Sequence, residues 1–125
     1  MSRAQADAAS GDNRPERWVL DAGDAAEVQL TVPADLARER RFKIGCALTV
    51  RCPDDLQGAW HEMAVFANGA KQWQRRIASN NPGSFDGLDY HLSCNVPVGE
   101  VLRVLVRSAV SGVARSRVVI EADEA

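Results

Sequence analysis

Residues 41–52, RFKIGCALTVRC, alternate apolar side chains with polar or small ones along the whole segment. One face of the segment would hold Phe42, Ile44, Cys46, Leu48, Val50 and Cys52. A period of two is that of a β-strand, in which successive side chains point to opposite faces. Because only one of the two faces is apolar, the segment predicts an antiparallel sheet with one buried and one wet side.

The same alternation continues on both sides of this strand. Residues 26–32 (AEVQLTV) and 89–96 (DYHLSCNV) repeat it. Turn-forming residues separate such runs at 52–55, 80–87 and 96–100. About eight short strands divided by turns predict an all-β fold, a two-sheet antiparallel sandwich of jelly-roll type, with a closed barrel as the alternative.

The chain of 125 residues is long enough for one domain with a hydrophobic core of its own. Residues 1–15 show no apolar periodicity and predict a disordered tail. Residues 16–125 are then expected to form a single β-sandwich domain. Residues 33–40 (PADLARER) favour helix by composition but are few, so they predict either one helical turn or a connector.

Composition excludes several classes of function. The net charge is −2, so no global field favours nucleic acid or an anionic membrane as a partner. No run of 18 apolar residues is present, which argues against a membrane span. The three cysteines form no CxxC pair, so we expect free thiols in a cytoplasmic protein.

Residues 60–77 (WHEMAVFANGAKQWQRRI) carry the strongest hairpin signal. Asn68-Gly69 suits a two-residue turn, because a type I′ turn needs a positive φ at both positions. Regular pairing from this turn would place Trp60 and Trp73 on one face, together with Phe66 and Ile77. We interpret this face as core; the alternative is an aromatic platform that stacks on sugar rings.

Residues 100–123 suggest a second hairpin with a three-residue loop at 110–112. This register would bring four arginines to one exposed face, with two of them directly opposed: Arg103, Arg107, Arg115 and Arg117. Opposed like charges need neutralisation. A neighbouring strand with Glu27, a partner protein, or a phosphate, sulfate or uronic acid would supply it, the last through bidentate guanidinium contacts.

The sequence offers little catalytic chemistry. Neither His61 nor His91 has a neighbour at metal-ligand spacing, and no nucleophile or phosphate-loop motif occurs. The oxygen-rich segment 80–89 lacks the ordered spacing of a calcium loop, and its residues are common in turns. We therefore predict no catalytic residue, metal or cofactor. An enzyme would require a histidine to meet Asp86 or Asp89 in the fold.

These observations favour a non-catalytic binding module that engages a protein or an acidic or neutral glycan through an exposed sheet face. The predicted contact residues are Arg103, Arg107, Arg115, Arg117, Trp60 and Trp73. Two alternatives stay open. One is a homo-oligomeric structural subunit that buries the arginine face, and the other is a small enzyme with a His/Asp site.

Overall fold

The part of the chain that the computed structural model describes, residues 14–125, contains eight β-strands and no helix. The strands are β1 (Arg17–Asp21), β2 (Glu27–Val32), β3 (Arg40–Arg51), β4 (Trp60–Ala67), β5 (Ala70–Ala78), β6 (Phe85–Val96), β7 (Leu102–Ser111) and β8 (Ala114–Glu124). They form two antiparallel sheets, sheet 1 in the order β1-β8-β3-β6 and sheet 2 in the order β2-β7-β4-β5. The predicted all-β sandwich is confirmed. Residues 1–13 of the predicted tail lie outside the described residues.

The connections between strands define a jelly roll. Only β4 and β5 follow each other within one sheet, and every other connection among the described strands passes from one sheet to the other. This is the double Greek-key arrangement of jelly rolls rather than a closed barrel. Residues 33–39 form an irregular connector between β2 and β3. Of the two predictions for this segment, a helical turn and a connector, the structure shows the connector. The Asp35 carboxylate accepts the Ala37 N–H there at 2.8 Å.

The core lies between the two sheets and follows the alternation of the sequence. The apolar row of β3 is buried as predicted, with no member more than 3% exposed: Phe42, Ile44, Cys46, Leu48, Val50 and the adjoining Cys52. The inward rows of the other strands are buried as well. They include Val118, Ile120 and Ala122 of the neighbouring β8, and, from the opposite sheet, Val28, Leu30 and Val32 of β2 and Leu102, Val104 and Val106 of β7. Burial of such rows is the main favourable term in folding.

The predicted Asn-Gly hairpin exists, but its register differs from the expected one. Asn68 and Gly69 have φ values of 46° and 86°, as the turn requires. A β-bulge then leaves Gln72 without a partner, so that Trp73 pairs with Val65 instead of Ala64. The shift by one residue moves Trp73 to the inner face of sheet 2 and leaves Trp60 on the outer face. The prediction that the two tryptophans share a face is wrong.

The predicted second hairpin is also wrong, because β7 and β8 belong to different sheets. Strand β7 pairs with β2 and β4, while β8 pairs with β1 and β3, so neither has a free edge for the other. The chain turns the corner at Gly112, whose φ is 77°. A Cβ at Gly112 would lie 2.9 Å from that of Ala59, so the turn packs tightly against the start of β4.

A charged cluster closes the end of the sandwich where β1 begins. We call Glu16, Arg38, Arg40 and Glu124 the Glu16 cluster. Arg40 is 4% exposed and donates to Glu16 at 2.8 Å and to the Pro33 carbonyl at 2.8 Å. Arg38 bridges both carboxylates, and the Trp18 indole N–H donates to Glu16 at 3.0 Å. The cluster ties the first strand to the connector after β2.

Acid is expected to weaken this cluster through Glu124. The hydrogen bond from Arg38 holds the pKa of Glu124 below its ordinary value of 4.5, although burial opposes the shift. A lowered native pKa gives stability that is present above pH 4.5 and is lost as the pH falls through the native pKa. The urea midpoint measured against pH should therefore fall on acidification. In Glu124→Gln this fall should be shallower; equal slopes would contradict the assignment.

Candidate functional site

The outer face of sheet 2 carries the surface with the most varied binding chemistry. We call it the Trp60 face and define it by the outward residues of four strands. They are Trp60, Glu62, Ala64 and Phe66 of β4, Lys71, Gln74 and Arg76 of β5, Arg103, Leu105, Arg107 and Ala109 of β7, and Glu27, Gln29 and Thr31 of β2. Their outward direction follows from the register, because the alternate residues of β2, β4 and β7 are buried.

Two aromatic rings stand at opposite ends of β4 on this face. Trp60 and Phe66 are half-buried, and six residues of strand separate them by about 20 Å. The Arg76 guanidinium lies 3.5 Å from the centroid of the Trp60 ring, and that of Arg107 lies 5.2 Å from the centroid of Phe66. These cation–π contacts hold each guanidinium beside a ring face. Each end of β4 therefore combines an apolar ring with a cation.

A shallow trough of about 230 Å³ lies over the middle of β4, with Phe66 but not Trp60 in its lining. Its floor is formed by the small side chains of Ala64 and Ala109. Its rim is polar: Glu62 accepts hydrogen bonds from Gln74 and from Arg76, the latter at 3.1 Å. These bonds hold the pKa of Glu62 below its ordinary value. The carboxylate and the amide are thus fixed in position at the edge of the trough.

The Trp60 face is cationic although the whole chain is not. It carries four cationic and two anionic side chains, whereas the chain has a net charge of −2. Glu27 lies opposite Arg107 and contacts it at 3.4 Å, as the sequence suggested, but both side chains stay more than half exposed. The Arg103 side chain has no hydrogen bond or ion pair with any described residue, since only its backbone bonds to Asn68. Arg103 and Arg107 are therefore accessible to an anion.

Arg115 and Arg117, which were predicted to share a face with Arg103 and Arg107, lie elsewhere. Arg117 lies on the outer face of sheet 1, where it pairs with Asp21 at 2.8 Å. A bulge in β8 leaves Ser116 unpaired and turns Arg115 towards the opposite sheet. There the Arg115 guanidinium donates to the Ser108 hydroxyl at 2.7 Å and to the Ser108 carbonyl at 3.1 Å. The predicted face of four arginines is wrong, because β7 and β8 lie in separate sheets.

Trp73 is not an open platform either. Its ring stacks on Tyr90, with the centroids 4.7 Å apart and the planes 9° from parallel. Trp73 belongs to edge strand β5 and Tyr90 to edge strand β6, so the pair closes the gap between the two sheets along this side. Such stacking contributes about 1 kcal/mol beyond the buried area. The structure assigns Trp73 to the core boundary.

Each histidine lies near an aspartate: His91 contacts Asp89 at 3.1 Å on the surface, where both side chains are more than two-thirds exposed, and His61 lies near Asp86 in the interior. His61 is fully buried, and its two ring nitrogens lie 2.8 Å from the Ser79 hydroxyl and 3.2 Å from the Gly87 carbonyl. Asp86, near the start of β6, accepts the backbone N–H groups of Asn80 and Gly87. These bonds and the nearby His61 lower its pKa, although desolvation is the largest single influence and raises it. No cluster of three or more metal-ligating side chains occurs in residues 14–125.

The cysteines behave as core residues. Cys46 and Cys52 are buried, Cys94 is half-buried, and all three are free thiols. Burial raises the pKa of Cys46 to about 12, which leaves almost no thiolate at neutral pH.

No helix in the described part of the chain is long and apolar enough to span a membrane.

The sequence held one signal for the Trp60 face that regular pairing obscured. Glu62 stands between Trp60 and Phe66 in the alternation of β4, and a carboxylate in such a row is typical of an outward face. The residues on the alternate positions, His61, Met63, Val65 and Ala67, are all buried. Regular pairing from Asn68-Gly69 would place Gln74 and Arg76 on the opposite face, and the bulge at Gln72 brings them here.

Comparisons with known proteins support the fold and nothing finer. No protein-family model matches the chain, and no curated protein does. Among solved structures, dimeric latent PorU from Porphyromonas gingivalis is similar over 88% of this chain with a TM-score of 0.54 and 12% identity, and the chain spans 13% of that protein. A structure of the infectious bursal disease virus Gt strain aligns with 97% of the chain and 37% of its own length, at a TM-score of 0.38 and 14% identity. At 12% identity the likeness to latent PorU is one of fold alone.

Proposed function

We propose that this protein is a non-catalytic binding module that holds an acidic glycan on the Trp60 face. The observation that carries the proposal is the combination of outward rings, a small-floored trough and accessible arginines on one sheet. The apolar C–H faces of sugar rings stack on aromatic side chains, while carboxylates and sulfates pair with guanidinium groups. Trp60 and Phe66 would supply the stacking, and Arg103 and Arg107 would bind the anionic substituents.

The size of the face favours a slender ligand over a folded partner. Four strands at a spacing of about 4.8 Å and eight residues of β4 at about 3.3 Å give an area of roughly 500 Å². A standard protein interface takes about 800 Å² from each partner. A glycan chain laid along β4 would contact both rings and cross the trough. The polar rim of Glu62 and Gln74 offers the planar hydrogen-bonding groups that orient sugar hydroxyls.

Isothermal titration with defined oligosaccharides tests this proposal. An oligogalacturonate and a heparin oligosaccharide carry carboxylates and sulfates, whereas a cello-oligosaccharide is neutral. We expect the acidic probes to bind more tightly, with an affinity that falls as salt is added. Trp60→Ala should weaken binding by about tenfold, the loss of roughly 1.4 kcal/mol. The double variant Arg103→Glu/Arg107→Glu should weaken it further.

Arg41→Glu serves as the control, because Arg41 is an exposed arginine on the outer face of sheet 1, away from the Trp60 face, and its side chain donates a hydrogen bond to Asn95. This variant should bind as the wild type does. Equal affinity for neutral and acidic probes would remove the role of the arginines. Equal losses in the control and in the face variants would remove the Trp60 face. Absence of binding to every probe at millimolar concentration would contradict the proposal as a whole.

A further inference from the structure

Strand β6 is an unusually long edge strand. It lies at the edge of sheet 1 and spans 12 residues, whereas the opposite edge strand β1 spans 5 and the edge strand β2 of sheet 2 spans 6. The fourth edge strand, β5, has a bulge and carries Lys71, Arg75 and Arg76. Bulges and charged side chains on an edge strand hinder its pairing with another chain. Residues 89–95 of β6 contain no lysine, arginine or proline, and their register with β3 is regular.

The register shows which backbone groups of β6 point away from β3. The Cys52 N–H donates to the Ser84 carbonyl at 2.8 Å in the direct continuation of the β3–β6 ladder. Since an antiparallel strand alternates between residues that bond to their neighbour and residues that turn away, the odd-numbered residues of β6 face the free edge. Two side-chain contacts agree with this assignment: Asn81 donates to the Phe85 carbonyl, and His61 contacts that of Gly87.

The free edge is therefore covered at its first half and open at its second. In the open stretch, the backbone N–H and C=O groups of Asp89, His91, Ser93 and Asn95 point to the free edge, away from β3. Among the described residues only a weak 3.7 Å contact from the Cys94 sulfur reaches any of these groups, at the Asn95 carbonyl. Unpaired N–H and C=O groups in a regular strand are a template for another strand.

The inward row of the same stretch is incompletely buried. Tyr90, Leu92 and Cys94 are only half-buried, although the β3 residues opposite them are at most 1% exposed. The difference arises because β6 has a neighbouring strand on one side only. A further strand would remove apolar surface from water on the inner side of the sheet while it completes the ladder.

We propose that the open stretch of β6 pairs with the same stretch of a second copy of this chain, antiparallel and centred on Leu92. The four outward residues map onto themselves only about this centre, with Asp89 opposite Asn95 and His91 opposite Ser93 of the partner. No like charges meet in this register. A centre at His91 would oppose two imidazoles, and a centre at Tyr90 would run Ser93 into the covered Gly87.

The side chains of the inner row agree with the same centre. Tyr90 faces Cys94 of the second copy, and Leu92 faces its own equivalent across the two-fold axis. Apolar groups thus meet apolar groups, as cross-strand pairs in a stable sheet do. The two sheets 1 become one continuous sheet of eight strands. This pairing uses sheet 1 and leaves the Trp60 face of sheet 2 free, so it does not depend on the proposed glycan function.

Analytical ultracentrifugation of the full chain without any glycan tests the pairing. We expect a concentration-dependent dimer. Ser93→Pro should raise the dimer dissociation constant by about tenfold or more, because it removes the Ser93 N–H that points to the free edge and leaves the hydrogen bonds to β3 in place. Val19→Pro is the matched control on the other edge strand of sheet 1. The even-numbered residues of β1 bond to β8, as the hydrogen bonds from Ala22 N–H to Val118 and from Glu124 N–H to Glu16 show, so the N–H of Val19 points to the free edge. This variant should leave the dimer unchanged.

Oxidative cross-linking gives a second readout that does not require the proline variant to fold. At the centre of the register, Leu92 and its equivalent form a non-hydrogen-bonded pair with Cα atoms about 4.5 Å apart, which a disulfide can bridge. In a Cys94→Ser background, Leu92→Cys should cross-link into a dimer, whereas Val19→Cys in the same background should not. A wild-type chain that stays monomeric at millimolar concentration, or equal cross-linking at both positions, would overturn the proposal.

Discussion

Replacing Glu16 by glutamine should lower the free energy of unfolding by about 3 kcal/mol. Both Glu16 and Arg40 are buried, and the substitution keeps the shape of the side chain while it removes the negative charge. Arg40 would then remain charged in a site that excludes water, and its Nε already has no hydrogen-bond partner. Removal of one member of a buried pair costs more than the pair itself contributes, because the other charge is left without compensation. Urea denaturation followed by circular dichroism measures the change.

Asp123→Asn provides the control for Glu16→Gln. Asp123 also pairs with an arginine, Arg17, but that pair is exposed on the outer face of sheet 1. Exposed pairs contribute little because water and salt screen them. We expect the urea midpoint of this variant to stay close to that of the wild type. A midpoint shift as large as that of Glu16→Gln would show that burial of the Glu16 cluster is not the cause.

Replacing Gly87 by alanine should also destabilise the sandwich severely, by about 3 kcal/mol, at the upper end of the range for overpacking. A Cβ at Gly87 would lie 2.4 Å from the carbonyl oxygen of Leu48 on β3. A backbone oxygen in the middle of a ladder cannot move aside as a flexible side chain can. The strain would pass to the β3–β6 pairing and to the contact between His61 and the Gly87 carbonyl. The shift in thermal unfolding midpoint measures the effect.

Gly45→Ala is the matched control on the neighbouring strand. There the nearest atoms to a new Cβ belong to the imidazole of His91, at 3.2 Å, and that side chain is 74% exposed. The ring can rotate into solvent, so we expect a small change in midpoint. An unchanged midpoint in Gly87→Ala, or equal losses in the two variants, would contradict the steric argument.

The inner rows of the sandwich could be predicted from the sequence because alternation is a local property of each strand. Strands β2, β3 and β7 bury the side chains that their alternation indicates. The Asn-Gly turn was predictable for the same reason, since its positive φ values are set by two adjacent residues. In these places propensity, pattern and turn chemistry agree.

The candidate site was less predictable, because it depends on events that alternation does not record. One extra residue at Gln72 reverses the direction of every later side chain of β5, and Ser116 does the same for the start of β8. A tight glycine turn at Gly112 looks the same in sequence whether it joins two paired strands or carries the chain between sheets. Which strands pair is decided by the packing of the whole sandwich, and this placed Arg115 and Arg117 away from Arg103 and Arg107.

The pairing of β1 with β8 imposes an order of events on synthesis. The side chains of Arg17 and Asp123, which meet across this ladder, are 106 positions apart in the chain. At a translation rate of about 5–20 residues per second, roughly 5 to 20 seconds pass between the synthesis of β1 and that of β8, its neighbour among the described strands. Closure over such a separation also slows folding, since the loop entropy is lost before the contacts form. The β1–β8 ladder of sheet 1 can therefore form only after β8 has been made.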